Sequence, residues 1–338
     1  MILNENVSLK KFNTMGVDVK AKYFAEMTSP DDISILPELS EKAGNRFLVL
    51  GEGSNILFTG DYDGLVIRNM IKGRSVISED DESVTLRFGA GENWDQTVAY
   101  CVENNLWGIE NLSLIPGTTG ASPIQNIGAY GQEAGDSVTE VKFYDIYDNS
   151  VYALSNVNCR FGYRSSIFKH ELKGRVIILS VNYKLKKNGV PELGYKGLKE
   201  FIDENYQAEY SLSNLRNAVI SIRNSKLPDP GVLGNCGSFF KNPVISAEEF
   251  ERVSNLNPGI KGFPAENGCF KLSAAQLIEI SGFKGLREGD AGTSPNHALV
   301  LVNYGNATGR ELRDLAVKIK HGVYLKTGVR IEEEVNII

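Results

Sequence analysis

The stretch Asn111–Gln132, NLSLIPGTTGASPIQNIGAYGQ, constrains this chain more than any other. Its 22 residues carry no charge, and they hold Gly117, Gly120, Gly128 and Gly131 together with Pro116 and Pro123. That density of glycine and proline interrupts helix and strand alike, so the stretch reads as a loop. It also leaves too little continuous apolar length to span a bilayer. What remains is an uncharged loop rich in backbone N–H groups, with the hydroxyls of Thr118, Thr119 and Ser122 and the amides of Gln125 and Asn126. Glycine lacks the Cβ that would hold the backbone away from a ligand, so such a loop can wrap a phosphate or a flat heterocycle. A tight structural loop over a packed domain is the equally open alternative.

Composition narrows the partners. A chain of 338 residues with 42% hydrophobic and 23% charged residues is globular and long enough for two or three domains. Its 34 glycines are about a tenth of the chain, against a usual ~7%, which suits loops that approach a ligand. A net charge of −6 argues against broad nucleic-acid binding, so any anion must be held locally. Cys101, Cys159, Cys236 and Cys269 are far apart with no CxxC pair, and the histidines are His170, His297 and His321. Neither a disulfide framework nor a metal site is expected. The N-terminus MILNENVSLKKFNTMG has no apolar h-region, which points to the cytoplasm and away from membranes.

Along the chain, Phe47–Leu50 and Leu65–Arg68 are apolar, strand-like runs, and Gly51-Glu-Gly-Ser-Asn55 follows the first directly. A glycine turn after a strand can cradle a diphosphate, although an ordinary strand-end turn explains the pattern as well. Neither Gly51-x-Gly53 nor Gly89-Ala-Gly91 has the third glycine of a dinucleotide fingerprint, so a Rossmann reading fails. The pattern predicts a strand from Val84, a helix over about 93–104, and strands at Ser137–Tyr147 and Arg175–Leu185. It predicts a helix capped by Ser213 and running to about Asn224, then a break at Leu227-Pro-Asp-Pro-Gly231 that marks a domain boundary. Beyond it, Lys271–Gly282 reads as an amphipathic helix and Ala298–Val302 as a buried strand. Thr308-Gly-Arg-Glu311 is a capping box opening a helix up to Gly328, and Val329–Ile338 reads as a terminal strand. On a strand Glu332 and Glu334 share one face and Glu333 takes the other.

Seven segments together resemble one family, the UDP-N-acetylenolpyruvoylglucosamine reductases, also called UDP-N-acetylmuramate dehydrogenases. They are Asn13-Thr-Met-Gly16, Leu50-Gly-Glu-Gly-Ser-Asn-Ile-Leu57, the Ile115–Gly131 run, Phe161-Gly-Tyr-Arg-Ser165, Lys226-Leu-Pro-Asp-Pro230, Gly237-Ser-Phe-Phe-Lys-Asn-Pro243 and Glu332-x-Glu334-Val335. The Tyr-Arg turn and Gly194-Tyr-Lys-Gly197 resemble the family's longer type, in which a tyrosine-bearing loop closes over the substrate. The resemblance implies an α+β fold: a two-lobed FAD-binding domain of the p-cresol methylhydroxylase and vanillyl-alcohol oxidase type, plus a C-terminal α+β substrate-binding domain. Residues 1–70 would form one lobe, joined by strand 329–338, residues 71–228 the second lobe, and residues 229–328 the substrate domain.

The implied activity belongs to peptidoglycan precursor synthesis. NADPH reduces non-covalently bound FAD, which then reduces UDP-N-acetyl-3-O-(1-carboxyvinyl)-glucosamine to UDP-N-acetylmuramate, in a protein expected to be a cytoplasmic monomer. By resemblance Ser238 is the proton donor, and Arg164 with Glu334 polarises the substrate carboxylate. Gly51, Gly53, Ser54, Asn55, Pro116, Gly117, Thr118, Gly120, Ala121, Ser122, Ile124, Asn126, Gly128, Ala129 and Tyr130 would bind the cofactor. Tyr163, Tyr195, Lys226, Asn242 and His297 would bind the substrate.

This sequence departs from the family pattern at Met15, Cys236, Glu333, Asn336 and His297, where the family commonly has an aromatic residue, alanine, proline, arginine and glutamine. Two other readings compete: an alcohol oxidase of the same fold and a non-catalytic nucleotide-sugar sensor. The glycine loops hold no His or Cys to tether a flavin, which weakens the first, and a sensor would not need a proton donor. A hydrolase built on Ser238 or Cys236 lacks the GxSxG elbow.

Overall fold

The Val176–Lys186 strand, VIILSVNYKLK, is apolar along nearly its whole length because it meets two cores. Ile178, Val181, Tyr183 and Leu185 join a cluster with Val84, Leu86, Phe88, Trp94 and Val98. Ile177 and Leu179 join a second cluster with Ala25, Met27, Leu65 and Ile67. Strict alternation cannot send both 178 and 181 to one side. A register shift opposite Lys142/Phe143 inserts the extra residue that changes the parity. The computed structural model describes residues 1–338, save for the side chain of Lys196.

This strand is central in an antiparallel five-stranded sheet, in the order Ser150–Ser155, Val138–Asp145, Val176–Lys186, Ser83–Gly89, Arg74–Glu79. The Trp94–Glu103 helix, capped by Asn93, packs Trp94, Val98 and Cys101 into the first cluster. A four-stranded sheet, ordered Asn4–Ser8, Lys20–Met27, Tyr62–Asn69, Phe47–Leu50, has a parallel pair between the last two strands. Apart from the strand-end residues Ser8, Lys20 and Tyr62, these elements belong to the first of two compact units, made of Met1–Val7, Ala21–Glu52 and Asp63–Arg223.

The second unit takes Ser8–Lys20, Gly53–Tyr62 and Asn224–Ile338. Its long helix, Gly309–Thr327, starts at the Thr308/Glu311 capping box, buries Leu312, Leu315, Ile319 and Val323, and ends at Gly328 with φ +71°. Beside it lies a four-stranded sheet (Gly234–Asn235, Leu301–Asn303, Ala291–Thr293, Arg287–Glu288), and the unit also holds a three-stranded one (Val244–Ile245, Phe270–Leu272, Gly262–Pro264). No helix among the described residues is long and apolar enough to cross a membrane.

Four boundaries differ from the sequence expectation. The helix expected to be capped by Ser213 runs Leu212–Lys226, with Asn214 N donating to Ser211 Oγ, so the capping hydroxyl lies two residues earlier. The expected Lys271–Gly282 helix is a strand to Leu272, then Ser273 as cap, then the Ala274–Ile280 helix. Ser273 Oγ accepts from Gln276 N, and that local cap outweighs the amphipathic pattern. The Ala298–Val302 strand begins only at Leu301, because Val300 N turns back to His297 O. In Val329–Ile338 the regular ladder is limited to Asn336–Ile337, parallel to Ile56–Leu57.

Candidate active site

In the first unit the charge-free stretch is a chain of reversals. Leu114, Asn126 and Tyr130 have φ of 58°, 44° and 49°, and Gly117 and Gly131 have 132° and 89°. A non-glycine residue held at positive φ stores of order 1–3 kcal/mol, so the surroundings must enforce it. They do so with side chains outside the loop. Asp95 Oδ1 accepts from Leu114 N at 2.6 Å, and Arg216 grips the same carboxylate at 2.7 and 2.9 Å. Burial alone would raise the Asp95 carboxyl, but the Arg216 and Leu114 donors outweigh it and hold it below the ordinary range. Glu52 accepts from Gly117 N at 2.9 Å and from Asn93 Nδ2 at 2.6 Å, which ties the two glycine turns together. A Cβ on Gly51 would sit 2.7 Å from Thr118 Oγ1, so only glycine allows that approach.

The loop's own polar side chains face inward. Thr119 Oγ1 meets Thr97 Oγ1 at 3.0 Å, and Ser122 Oγ meets Tyr183 OH at 2.5 Å. Asn126 spends its amide on Glu133 Oε2, Gly162 O and Gly135 N. Thr118, Gly120, Ser122 and Asn126 are thus buried, whereas Pro116, Ala121, Ile124, Gly128, Ala129 and Tyr130 keep exposed or half-exposed surface. Main chain, small apolar side chains, Ile124, Gln125 and Tyr130 are therefore what this loop offers a ligand.

The Phe-Gly-Tyr-Arg-Ser turn is laced onto the same loop. Arg164, at φ +101°, donates through Nη1 to Asn126 O (3.2 Å) and through Nη2 to Gly128 O (2.6 Å). Lys169 Nζ donates to Arg164 O at 2.9 Å, and Ser166 Oγ to Ile124 O at 2.6 Å. Tyr163 stays exposed, with the Arg164 guanidinium 5.5 Å from its ring centre. Tyr195, also exposed, meets Tyr130 edge-on at 5.0 Å.

The second unit builds around Ser238. Asn13 folds residues 9–17 into a turn through bonds to Leu9 O, Val17 O and Val17 N. Thr14 then holds Asn235 from both sides, Thr14 O accepting from Asn235 N (3.0 Å) and Thr14 Oγ1 donating to Asn235 O (2.7 Å). Asn235 Oδ1 accepts from Gly237 N, and Gly237, at φ +65°, turns the chain so that Ser238 is exposed. Phe239 and Phe240 behind it are fully buried. Phe239 N bonds Leu299 O, and Phe239 O accepts from Glu334 N, both at 2.8 Å, so Ser238 and Glu334 lie on paired backbones.

Of the three glutamates, Glu333 gives both carboxylate oxygens to Lys320 Nζ at 2.9 Å, and Glu332 is exposed near Lys241. Asn55, beside Ser54 and the buried Gly53, bonds Glu334 O through Nδ2 at 3.4 Å and accepts from Asn336 N. Asn242 Oδ1 accepts from Ala274 N. The half-buried His297 accepts from Leu299 N through Nδ1. Burial, followed by the Lys226 and Lys284 charges, pushes the His297 imidazole below its ordinary value of 6.5, with Glu279 opposing. Cys236 is buried against Ile56 O, and burial drives its thiol up to about 12, which makes it inert as a nucleophile.

Comparison with known proteins decides the family. Residues 229–338 match the family described as UDP-N-acetylenolpyruvoylglucosamine reductase, C-terminal domain, and residues 21–154 match an FAD binding domain. The UDP-N-acetylenolpyruvoylglucosamine reductase of Flavobacterium johnsoniae is 44% identical over 339 residues, covering 100% of both chains. The chain belongs to the UDP-N-acetylenolpyruvoylglucosamine reductase family. The reductase of that name from Chromobacterium violaceum is 43% identical over 97% of each chain. A crystal structure of UDP-N-acetylenolpyruvylglucosamine reductase from Thermus caldophilus, 23% identical, shares the fold with a TM-score of 0.68 over 99% of both chains.

For this reductase family member the cofactor is FAD. The loop suits it: no charged side chain belongs to the stretch, the Thr119 and Ser122 hydroxyls are turned inward, and the backbone with few polar side chains remains for a flat ring or a diphosphate. Glu52 escaped the reading of the sequence. Its signal was a carboxylate inside a glycine turn, in a chain whose other glycine loop has donors but no charge.

Proposed function

We propose that this protein reduces the enolpyruvyl ether of UDP-N-acetyl-3-O-(1-carboxyvinyl)-glucosamine to UDP-N-acetylmuramate, with NADPH as electron donor. Bound FAD supplies the hydride transfer, from NADPH and then to the methylene carbon of the enolpyruvyl group. The remaining work falls to side chains. As hydride adds, negative charge builds in the substrate carboxylate, and Arg164 stabilises it; losing one such donor costs roughly 2.7–4 kcal/mol in the transition state. The Ser238 hydroxyl delivers its proton to the carbon bearing the ether oxygen, and solvent reprotonates the serine. A serine hydroxyl is a weak acid, yet an enolate carbon is basic enough to take its proton.

Glu334 shares the polarising role. A bare carboxylate would repel the developing enolate, so a donor bonded to Glu334 has to offset its charge. Lys226, Asn242, His297, Tyr163 and Tyr195 bind the UDP-sugar, with the Lys226 charge and the His297 imidazole directed to the diphosphate. The observation that supports this reading most is the exposed Ser238, set by Gly237 and flanked by a backbone bond to Glu334.

An anaerobic visible spectrum tests it. The flavin band should bleach with NADPH and return when the enolpyruvyl UDP-sugar is added. A band that bleaches but does not return with the sugar overturns the substrate, and one that NADPH leaves unbleached overturns the electron donor.

A further inference from the structure

Asn111 stands outside every role assigned above, yet it is wholly buried and connects three pieces of backbone. Its N–H donates to Gln132 Oε1 at 2.9 Å, and Gln132 Nε2 in turn donates to Glu110 Oε1 at 2.8 Å. Its side-chain Nδ2 uses one hydrogen on Tyr130 O (2.8 Å) and the other on Glu192 O (2.9 Å). Its Oδ1 is buried with no hydrogen-bond partner. What the side chain gives the surrounding backbone is therefore its two donors.

Those donors join the glycine loop to a segment with no regular structure of its own, residues 187–195. The other contacts along this seam depend on close approach. A Cβ on Gly189 would lie 2.3 Å from Trp107 Cβ, and one on Gly131 would lie 3.1 Å from Glu192 Cγ. At the end of the segment Tyr195 rests edge-on against Tyr130, itself held at φ +49°.

We propose that Asn111 is a positioning residue: it seats the 187–195 segment on the glycine loop and so sets where Tyr195 meets the substrate. The inference rests on the substrate role proposed for Tyr195. Neither carbonyl can be replaced by changing its own side chain, so the amide of Asn111 is the point at which the seating can be released. The bond through the Asn111 N–H is backbone and survives substitution, so the start of the loop stays tied to Gln132, and the flavin absorbance of the variant confirms its FAD content before any rate is read.

The test is Asn111→Ser in the full chain loaded with FAD, a side chain too short to reach both carbonyls. Trypsin cleavage after Lys187, mapped by mass spectrometry, should quicken about tenfold, the effect of one lost hydrogen bond. The KM for the enolpyruvyl UDP-sugar should rise by about the same factor, with the rate of flavin reduction by NADPH unchanged. Wild-type cleavage and wild-type KM in a folded variant overturn the inference. Faster cleavage with an unchanged KM overturns it too, provided Tyr195→Ala raises KM in parallel. If Tyr195→Ala leaves KM unchanged, the substrate role of Tyr195 has failed instead, and the cleavage rate alone decides the seating. Should Asn111→Ser not fold, Asn111→Leu, close to asparagine in shape but with neither Nδ2 donor, is expected to give the same pair of changes.

Discussion

At the scale of single residues, two side chains of the second unit give sharp expectations. Ser238 is exposed while both residues after it are buried, so Ser238→Ala removes a hydroxyl without disturbing the core. Flavin reduction by NADPH should be unchanged, and reoxidation by the enolpyruvyl sugar should slow by roughly a hundred- to ten-thousand-fold, the range for loss of a proton donor. Stopped-flow absorbance of the two half-reactions measures both. His297 gives a pH dependence. Its folded pKa lies below 6.5 because of burial and the Lys226 and Lys284 charges, so the unfolded chain binds more protons as pH falls. Its contribution to stability is therefore complete above about pH 6.5 and is lost as pH drops towards the lower folded value. Urea unfolding between about pH 5 and 7 should show a flatter profile for His297→Gln than for wild type. A diphosphate bound beside the ring would favour the imidazolium, so binding of the UDP-sugar should take up a proton in the same window.

At the scale of elements, the glycine loop is shaped from outside itself. Leu114 and Asn126 hold unfavourable backbone angles because Asp95 and Gly162 O bond to them from elsewhere in the chain, and only Tyr130 is braced from within the loop, by Asn111. Glu52 bonds the loop directly at Gly117 N and indirectly through Asn93, whose backbone bridges Thr118. In Glu52→Ala both donors lose a charged acceptor, each such bond being worth about 1.5–3 kcal/mol. FAD affinity, measured by flavin fluorescence quenching, should fall at least tenfold, a loss of about 1.4 kcal/mol or more. An unchanged affinity would show that the loop keeps its shape without that clamp. The helix boundaries that moved did so for a related reason. Ser211 took the capping role from Ser213, and Ser273 caps within a stretch that reads as one amphipathic helix; a period alone does not say which hydroxyl faces the free N–H groups.

At the scale of the whole chain, ligand binding and folding are linked. FAD that binds only the folded protein at a hundred times its dissociation constant adds about 2.7 kcal/mol of stability. Calorimetry should show a transition that climbs with added FAD; a transition indifferent to FAD would contradict the cofactor assignment. Much of this protein was legible before any coordinates. The Ser83–Gly89 and Val176–Lys186 strands, the capped Gly309–Thr327 helix and the family itself follow from local patterns: apolar period, capping residues and seven ordered motifs. Such features depend on neighbours a few residues away, so the sequence by itself determined them. Tertiary structure decided the rest. That Thr14 would brace Asn235, that Glu333 would go to Lys320, and that Asn111 would reach Glu192 depends on partners 221, 13 and 81 residues apart. A polar side chain in the sequence states what it can donate or accept. Which group it bonds is settled only when the chain buries both together and leaving either unpaired becomes costly.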